Sequence, residues 1–325
     1  MAEPTRRDAA SAPQPDLGGG SPVLTGASTM TNSSGSADGG GHPEVTGFRR
    51  RSRWRAILRQ PGPVLGIVLL LIVVAVAVFA PVISGYDPTR NNLLESLEPP
   101  SRKHWMGTDL LGRDVFTRVA YGARVSLSVA VVVQLVSVII GTTMGVLAGY
   151  FGGRLDDFIS ALTTIVQAFP GLLFAIAVMA VLGPSLYNVF IALALVSWPT
   201  VARLVRGETL ALKEQLFVEG ARASGAADTY ILLRHVLPNC LGPIIVVSTL
   251  GLGSVVLSEA TLSFLGLGIQ PPMPSWGSML AESRNRVMDA PWLMIFPGLA
   301  IFITVLAFNL LGDGLRDALD PKLRR

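Results

Sequence analysis

Two short runs carry residues that could grip a phosphate or a metal: Gly107-Thr108-Asp109 and Gly112-Arg113-Asp114. A nucleotide cradle needs Gly-Lys followed by Ser or Thr, so that backbone N–H groups and the ammonium surround the phosphates. The lysines Lys103, Lys213 and Lys322 all lack a preceding glycine. A calcium loop needs oxygen ligands at alternate positions, which neither run supplies. Histidines at 42, 104 and 235 are too scattered to form a hydrolytic metal cluster, and the single Cys240 excludes an internal disulfide framework and any multi-Cys zinc site. The stretch that holds both runs therefore reads as an amphipathic elbow helix, capped by Asp and tied by Arg. No catalytic, cofactor-binding or metal-ligating residue is assigned, and any energy source must lie on a partner.

A second class of chemically meaningful residue is polar side chains embedded in apolar sequence. Gln134, Gln167, Glu259 and Asn309 stand in such surroundings. Polar groups inside a bilayer are costly and tend to face a bundle interior or a water-filled path. The first three are candidates for a translocation path, and Asn309 for a contact between helices. Glu259 has two readings: it meets a cationic group of a cargo, or it is an interfacial carboxylate paired with an arginine. Gln167, three residues before Pro170, could equally bridge helices or touch cargo.

The elements that must position these residues follow from where charge is missing. Of 325 residues, 50% are hydrophobic and 15% charged. No Asp, Glu, Lys or Arg occurs within residues 64–86, 125–153, 158–202, 235–258 or 290–312. About 20 apolar residues cross a bilayer as a helix, and core helices of soluble proteins rarely stay uncharged for so long. Splitting the longest block at Gly183-Pro184-Ser185 gives an all-α, polytopic membrane protein with six spans: 63–84, 126–148, 158–182, 186–205, 240–262 and 291–312. Three divisions result: a Gly/Ser/Pro-rich tail over 1–48, read as disordered; a first span and outer elbow over 49–125; and a core over 126–325.

Arg49, Arg50, Arg51, Arg53, Arg55 and Arg59 abut the first span and place both termini in the cytoplasm of a bacterial inner membrane. The outer loop then carries Arg90, Arg102, Lys103, Arg113, Arg118 and Arg124, which pull the other way. The net charge of +4 and pI near 9.6 suit anionic lipid better than nucleic acid, because no basic, aromatic-studded face accompanies them. Trp276 and Trp292 read as interfacial anchors.

One segment predicted inside, 206–239, is charged and compact. Its pattern predicts two short helices, 208–223 and 229–236. Gly225 supplies the turn between them, Asp228 caps the second, and Pro238 ends it or starts another. The run from Glu219 through Gly220, Ala221 and Gly225 to His235, Leu237 and Pro238 resembles the EAA loop of binding-protein-dependent importer permeases. Gly220 replaces a motif alanine, and His235 replaces isoleucine. Residues 104–127 (HWMGTDLLGRDVFTRVAYGARVSL) and 257–280 (LSEATLSFLGLGIQPPMPSWGSML) are similar to the dipeptide/oligopeptide branch, in its C-type permease.

That resemblance implies a type I ABC importer permease fold and half of a translocation pathway for di- or oligopeptides. A B-type permease would complete the pathway as a heterodimer, and an extracytoplasmic binding protein would deliver cargo. ATP and Mg would act on two ATPase subunits, or one fused ATPase, against which the loop seats as a coupling helix. Glu219 would contact the ATPase and Gly225 would form the turn. The same permease type also serves nickel chelates, glutathione or haem. A stand-alone secondary transporter is the reading from a different class, but no clear internal repeat accompanies the sequence.

Overall fold

The structure, a computed structural model, describes residues 60–319. The 1–48 tail, the arginine cluster over 49–59 and the basic C-terminal residues lie outside them. Among the described residues the architecture is all-helical, with a single isolated antiparallel bridge between Thr108 and Asp114.

Helix α1 spans Pro61–Ile83, with prolines in its first turn where their missing N–H costs nothing. Helix α2, Val115–Phe151, starts where the Asp114 carboxylate accepts the Thr117 N–H at 2.8 Å. Helices α3 (Gly153–Ala168) and α4 (Gly171–Leu182) follow, bent by 88° across Phe169-Pro170. Helix α5, Leu186–Lys213, is capped by Ser185, whose hydroxyl accepts the Asn188 N–H. Short helices α6 (Leu216–Ala223) and α7 (Asp228–Ile231) form the projecting loop. A π turn over Leu232–Val236 joins α7 to α8, Leu237–Phe264. Helices α9 (Trp276–Ser283) and α10 (Trp292–Leu319) complete the chain.

Among the described residues five stretches are long and apolar enough to cross a membrane: α1, α2, α5, Asp228–Phe264 and α10. The bent α3–α4 pair passes the same test only when its two helices are taken together, and it would then be the sixth; the span expected over 158–182, with its kink at Pro170, is thus two helices that begin at Gly153. Pro170 cannot donate to the helix ladder, and the residue ahead of it is pushed out of the helical region, so the chain breaks rather than kinks.

Helices α2 and α5 pack as the central pair, through Gly141, Gly145 and Gly149. A Cβ there would lie 2.7 Å from the Trp198 carbonyl, 2.6 Å from that of Ala202 and 2.9 Å from that of Arg206 respectively. Residues recurring every fourth position share one helix face, and small ones let two backbones approach closely. Helices α1 and α10 run antiparallel, as the approach of Gly66 to Ala307 and of Gly314 to Pro63 shows.

The bundle therefore has two distinct ends. One gathers the start of α1, the end of α10, the α2–α3 junction and the projecting loop. The other gathers segment 84–114, the end of α8, α9 and the start of α10. There the Trp276 indole donates to the Val119 carbonyl at 3.0 Å, and Trp292 to that of Thr108 at 3.3 Å. Trp276 is 1% exposed, so it is a core residue of the bundle rather than an interfacial anchor.

Candidate functional site

The projecting loop is built on the end of α5, which runs beyond its apolar part and breaks at Glu214-Gln215. The helix expected over 208–223 is thus two pieces. Helix α6 is held from beneath by Val218, fully buried, and by half-buried Ala221. Val218 joins Ile231, Val236 and Cys240 in a small core against Tyr150, Val201 and Val205 of α2 and α5. The outward face presents Leu216, 84% exposed, with Phe217, Glu219, Gly220 and Ala223. An exposed apolar side chain as large as Leu216 beside a carboxylate suits a docking surface.

Gly225 adopts φ +80°. The Gly225 N–H donates to the Arg222 carbonyl at 3.0 Å and the Ala226 N–H to that of Ala221 at 3.1 Å, the two bonds of a Schellman stop. A side chain at Gly225 would be strained by conformation alone. Gly220 has open space where a Cβ would stand, so neither packing nor backbone requires glycine there.

One local expectation is corrected and one is narrowed. Asp228 does not cap α7; it is the first helical residue, and its carboxylate accepts the Tyr150 hydroxyl at 2.6 Å. Of the two readings of Pro238, the structure takes the second: it stands in the first turn of α8. The π turn ahead of it, with the Leu237 N–H donating to the Leu232 carbonyl, shifts the ladder register where the proline has no N–H to give. Helix then continues from Asp228 through Phe264. His235 is half-buried, its ring centroid 5.6 Å from Tyr230 and 6.1 Å from Phe217. It therefore ties α6 to the π turn by aromatic packing. Leu237 is half-buried and Pro238 exposed.

The three candidates for the path do not converge. Gln134 is buried against Gly251 of α8. Two turns along the same α2–α8 seam, Glu259 is fully buried. Its carboxylate accepts the Ser126 hydroxyl at 2.9 Å and the Ser263 hydroxyl at 2.7 Å. Among the described residues no arginine pairs with it, which corrects the ion-paired reading; it is a staple between α2 and α8. Gln167 lies exposed in the last turn of α3, apart from both, and Asn309 is exposed on α10.

The two runs, 107–109 and 112–114, themselves form turns rather than an elbow helix; they lie ahead of α2, which starts at Val115 with Asp114 as its cap and Arg118 as its tie. Asp109 accepts the backbone N–H groups of Leu111 and Arg113, the Arg113 Nε at 2.7 Å and the Arg118 guanidinium. Arg113 and Arg118 both donate onward to Glu282 of α9, at 2.8 and 2.7 Å. His104 bridges Asp114 at 2.8 Å and Glu95 at 3.1 Å, and Lys103 pairs with Glu95. The hydrogen bond from Lys103, reinforced by His104, holds the Glu95 carboxyl below its ordinary range; the same contact raises the Lys103 ammonium. Charges that suggested a phosphate or metal loop are thus spent on one another. Among the described residues no group of three His, Cys, Asp or Glu side chains is placed to hold a metal.

An all-helical bundle with five to six apolar spans, an ion-paired far end and a projecting loop at the near end is the architecture of a multi-pass membrane protein. Residues 141–325 match the family described as the binding-protein-dependent transport system inner membrane component. Residues 49–100 match the N-terminal transmembrane domain of oligopeptide transport permease C. The chain is 46% identical over 277 residues to a dipeptide transport system permease protein of Alkalihalophilus pseudofirmus, covering 84% of this chain and 91% of that one. A glutathione transport system permease protein of Pectobacterium atrosepticum is 49% identical over 275 residues, with the same coverages. The inward-facing methionine ABC transporter MetNI shares the fold, with a TM-score of 0.51 at 21% identity over 61% of this chain and 94% of that one. This chain belongs to the binding-protein-dependent transport system inner membrane component family, as a C-type permease of ABC importers.

Proposed function

We propose that this permease forms half of a translocation pathway for di- or oligopeptides delivered by an extracytoplasmic binding protein, and that segment 206–239 seats on a partner ATPase. The observation that carries the docking reading is α6: a short helix anchored through Val218 and Ala221, stopped sharply at Gly225, and turning Leu216, Phe217 and Glu219 outward. A rigid projection of this kind transmits motion when it makes different contacts in two states of its partner. In this reading a B-type permease supplies the other half. ATP and Mg belong to two ATPase subunits or one fused ATPase.

The cargo reading rests on relatives named for dipeptide and for glutathione transport. Both are short peptides with a free ammonium and carboxylate. Glutathione is the second reading, favoured by relatives that are 50% identical over 272 residues.

The loop and both termini face the cytoplasm in this proposal. Among the outer cations that weigh against that orientation, Lys103, Arg113 and Arg118 are held in ion pairs with Glu95, Asp109 and Glu282.

The test is uptake of labelled dipeptide and glutathione by the reconstituted complex, with Glu219→Lys and Gly225→Pro variants. Both variants are expected to insert in the membrane but lose ATP-driven uptake. Unchanged uptake in both removes the loop from the mechanism. Absence of uptake of either peptide by an assembled, ATP-hydrolysing complex overturns the cargo.

A further inference from the structure

We propose that Tyr150 is a positioning residue for energy coupling, its hydroxyl joining both limbs of the docking loop to the end of α2. The inference rests on the docking role proposed for α6. Tyr150 stands in the last turn of α2, 6% exposed. Its hydroxyl donates to Asp228 Oδ1 at 2.6 Å and accepts from Arg222 Nη2 at 3.4 Å. The Arg222 guanidinium also lies 5.7 Å from the ring centroid. Arg222 belongs to the last turn of α6 and Asp228 to the first turn of α7, so the two flank the Gly225 turn. One hydroxyl therefore holds the docking helix and the return limb at once, with a charged group on each side. Hydrogen bonds to ionised groups are shorter and stronger than neutral ones.

By chain connectivity alone the loop moves only α5 and α8. The Tyr150 contact adds α2, the helix that packs along α5 through its glycine face and meets α8 at Glu259. Displacement of α6 then reaches α2, α5 and α8 together. The small core of Val218, Ile231 and Val236 holds the loop without the hydroxyl. Tyr150→Phe keeps the ring and its contact with Arg222, and leaves the exposed Asp228 to water. The hydroxyl is thus separable from folding.

The experiment uses the whole importer in proteoliposomes, with peptide uptake and ATP hydrolysis measured on the same sample. The expected result is a fall in peptide moved per ATP of about threefold to tenfold in Tyr150→Phe. Asp228→Ala is expected to give the same fall, and the double variant no further loss, because each removes the same bond. An unchanged ratio in both single variants overturns the proposal, as does an additive loss in the double. A Glu219→Cys variant, cross-linked to the ATPase, separates the two inferences. Cross-linking with an unchanged ratio rejects the Tyr150 role alone; failure to cross-link in an assembled complex rejects the docking reading and this inference with it.

Discussion

Removing the Asp109 carboxylate is expected to destabilise the outer end of the bundle by about 3 kcal/mol, the lower part of the range for breaking a buried ion pair. The side chain of Asp109 is 7% exposed, that of Arg113 6% and that of Arg118 2%. In Asp109→Ala two buried guanidinium groups are left with one carboxylate, that of Glu282, itself 29% exposed. The backbone N–H groups of Leu111 and Arg113 lose their acceptor as well. Glu282 still touches both arginines, which keeps the cost from the top of the range. The reasoning makes a sharper statement about a pair of changes. Arg118→Met combined with Asp109→Ala leaves Arg113 and Glu282 as one balanced pair and fills the guanidinium volume with an apolar chain. The double variant is therefore expected to be more stable than Asp109→Ala alone, by about 1 kcal/mol. The assay is thermal and denaturant unfolding of the permease in lipid nanodiscs. Additive losses, or a loss below about 0.5 kcal/mol in Asp109→Ala, would refute the claim that charge balance in this cluster holds segment 84–114 on α2 and α9.

Three further outcomes follow from the same geometry. Glu259→Ala leaves the Ser126 and Ser263 hydroxyls without their acceptor and opens a cavity, for a loss of about 3 kcal/mol in the same unfolding assay; Glu259→Gln, whose amide oxygen accepts from one serine while its NH2 donates to the hydroxyl oxygen of the other, is expected to lose about 1 kcal/mol, and equal losses would dismiss the staple. Gly145→Val drives a branched side chain toward the Ala202 carbonyl and the Val205 Cβ, so it should cost about 2 kcal/mol or prevent assembly, and a variant of wild-type stability would refute the α2–α5 contact. The Glu95–Lys103 pair has a defined pH sign: Glu95 is depressed in the folded state, so its contribution is present above its ordinary value of 4.5 and lost as pH falls below it, whereas Lys103 is raised, so its contribution is present below 10.5 and lost above. Lys103→Ala should consequently lower the melting temperature at about pH 7, by an amount that shrinks progressively as pH falls below 4.5, and a drop that does not change with pH would remove the pair as the cause.

The spans were legible because exclusion of charge reports bilayer thickness, and that quantity survives without knowledge of packing. Helix ends were not, because an apolar run measures hydrocarbon rather than hydrogen bonding. Helix α2 begins at Val115, ahead of the apolar stretch, and carries Arg118 inside its first turns because Asp109 and Glu282 neutralise it. Those partners come from a loop and from α9, so no local pattern announces them. The glycines at 141, 145 and 149 were visible in sequence at helical spacing, yet their meaning depends on Ala202 and Arg206 standing opposite. The projecting loop shows both cases at once. Gly225 could be placed because a left-handed turn is a property of one residue. Asp228 was misassigned because its partner, Tyr150, lies on another helix and reads in isolation as an ordinary aromatic near a membrane surface. Residues whose role is set by their own backbone or by solvent exclusion can be read from one chain of letters. Those whose role is a bond between distant elements, Tyr150, Glu259 and Arg118 here, require the fold.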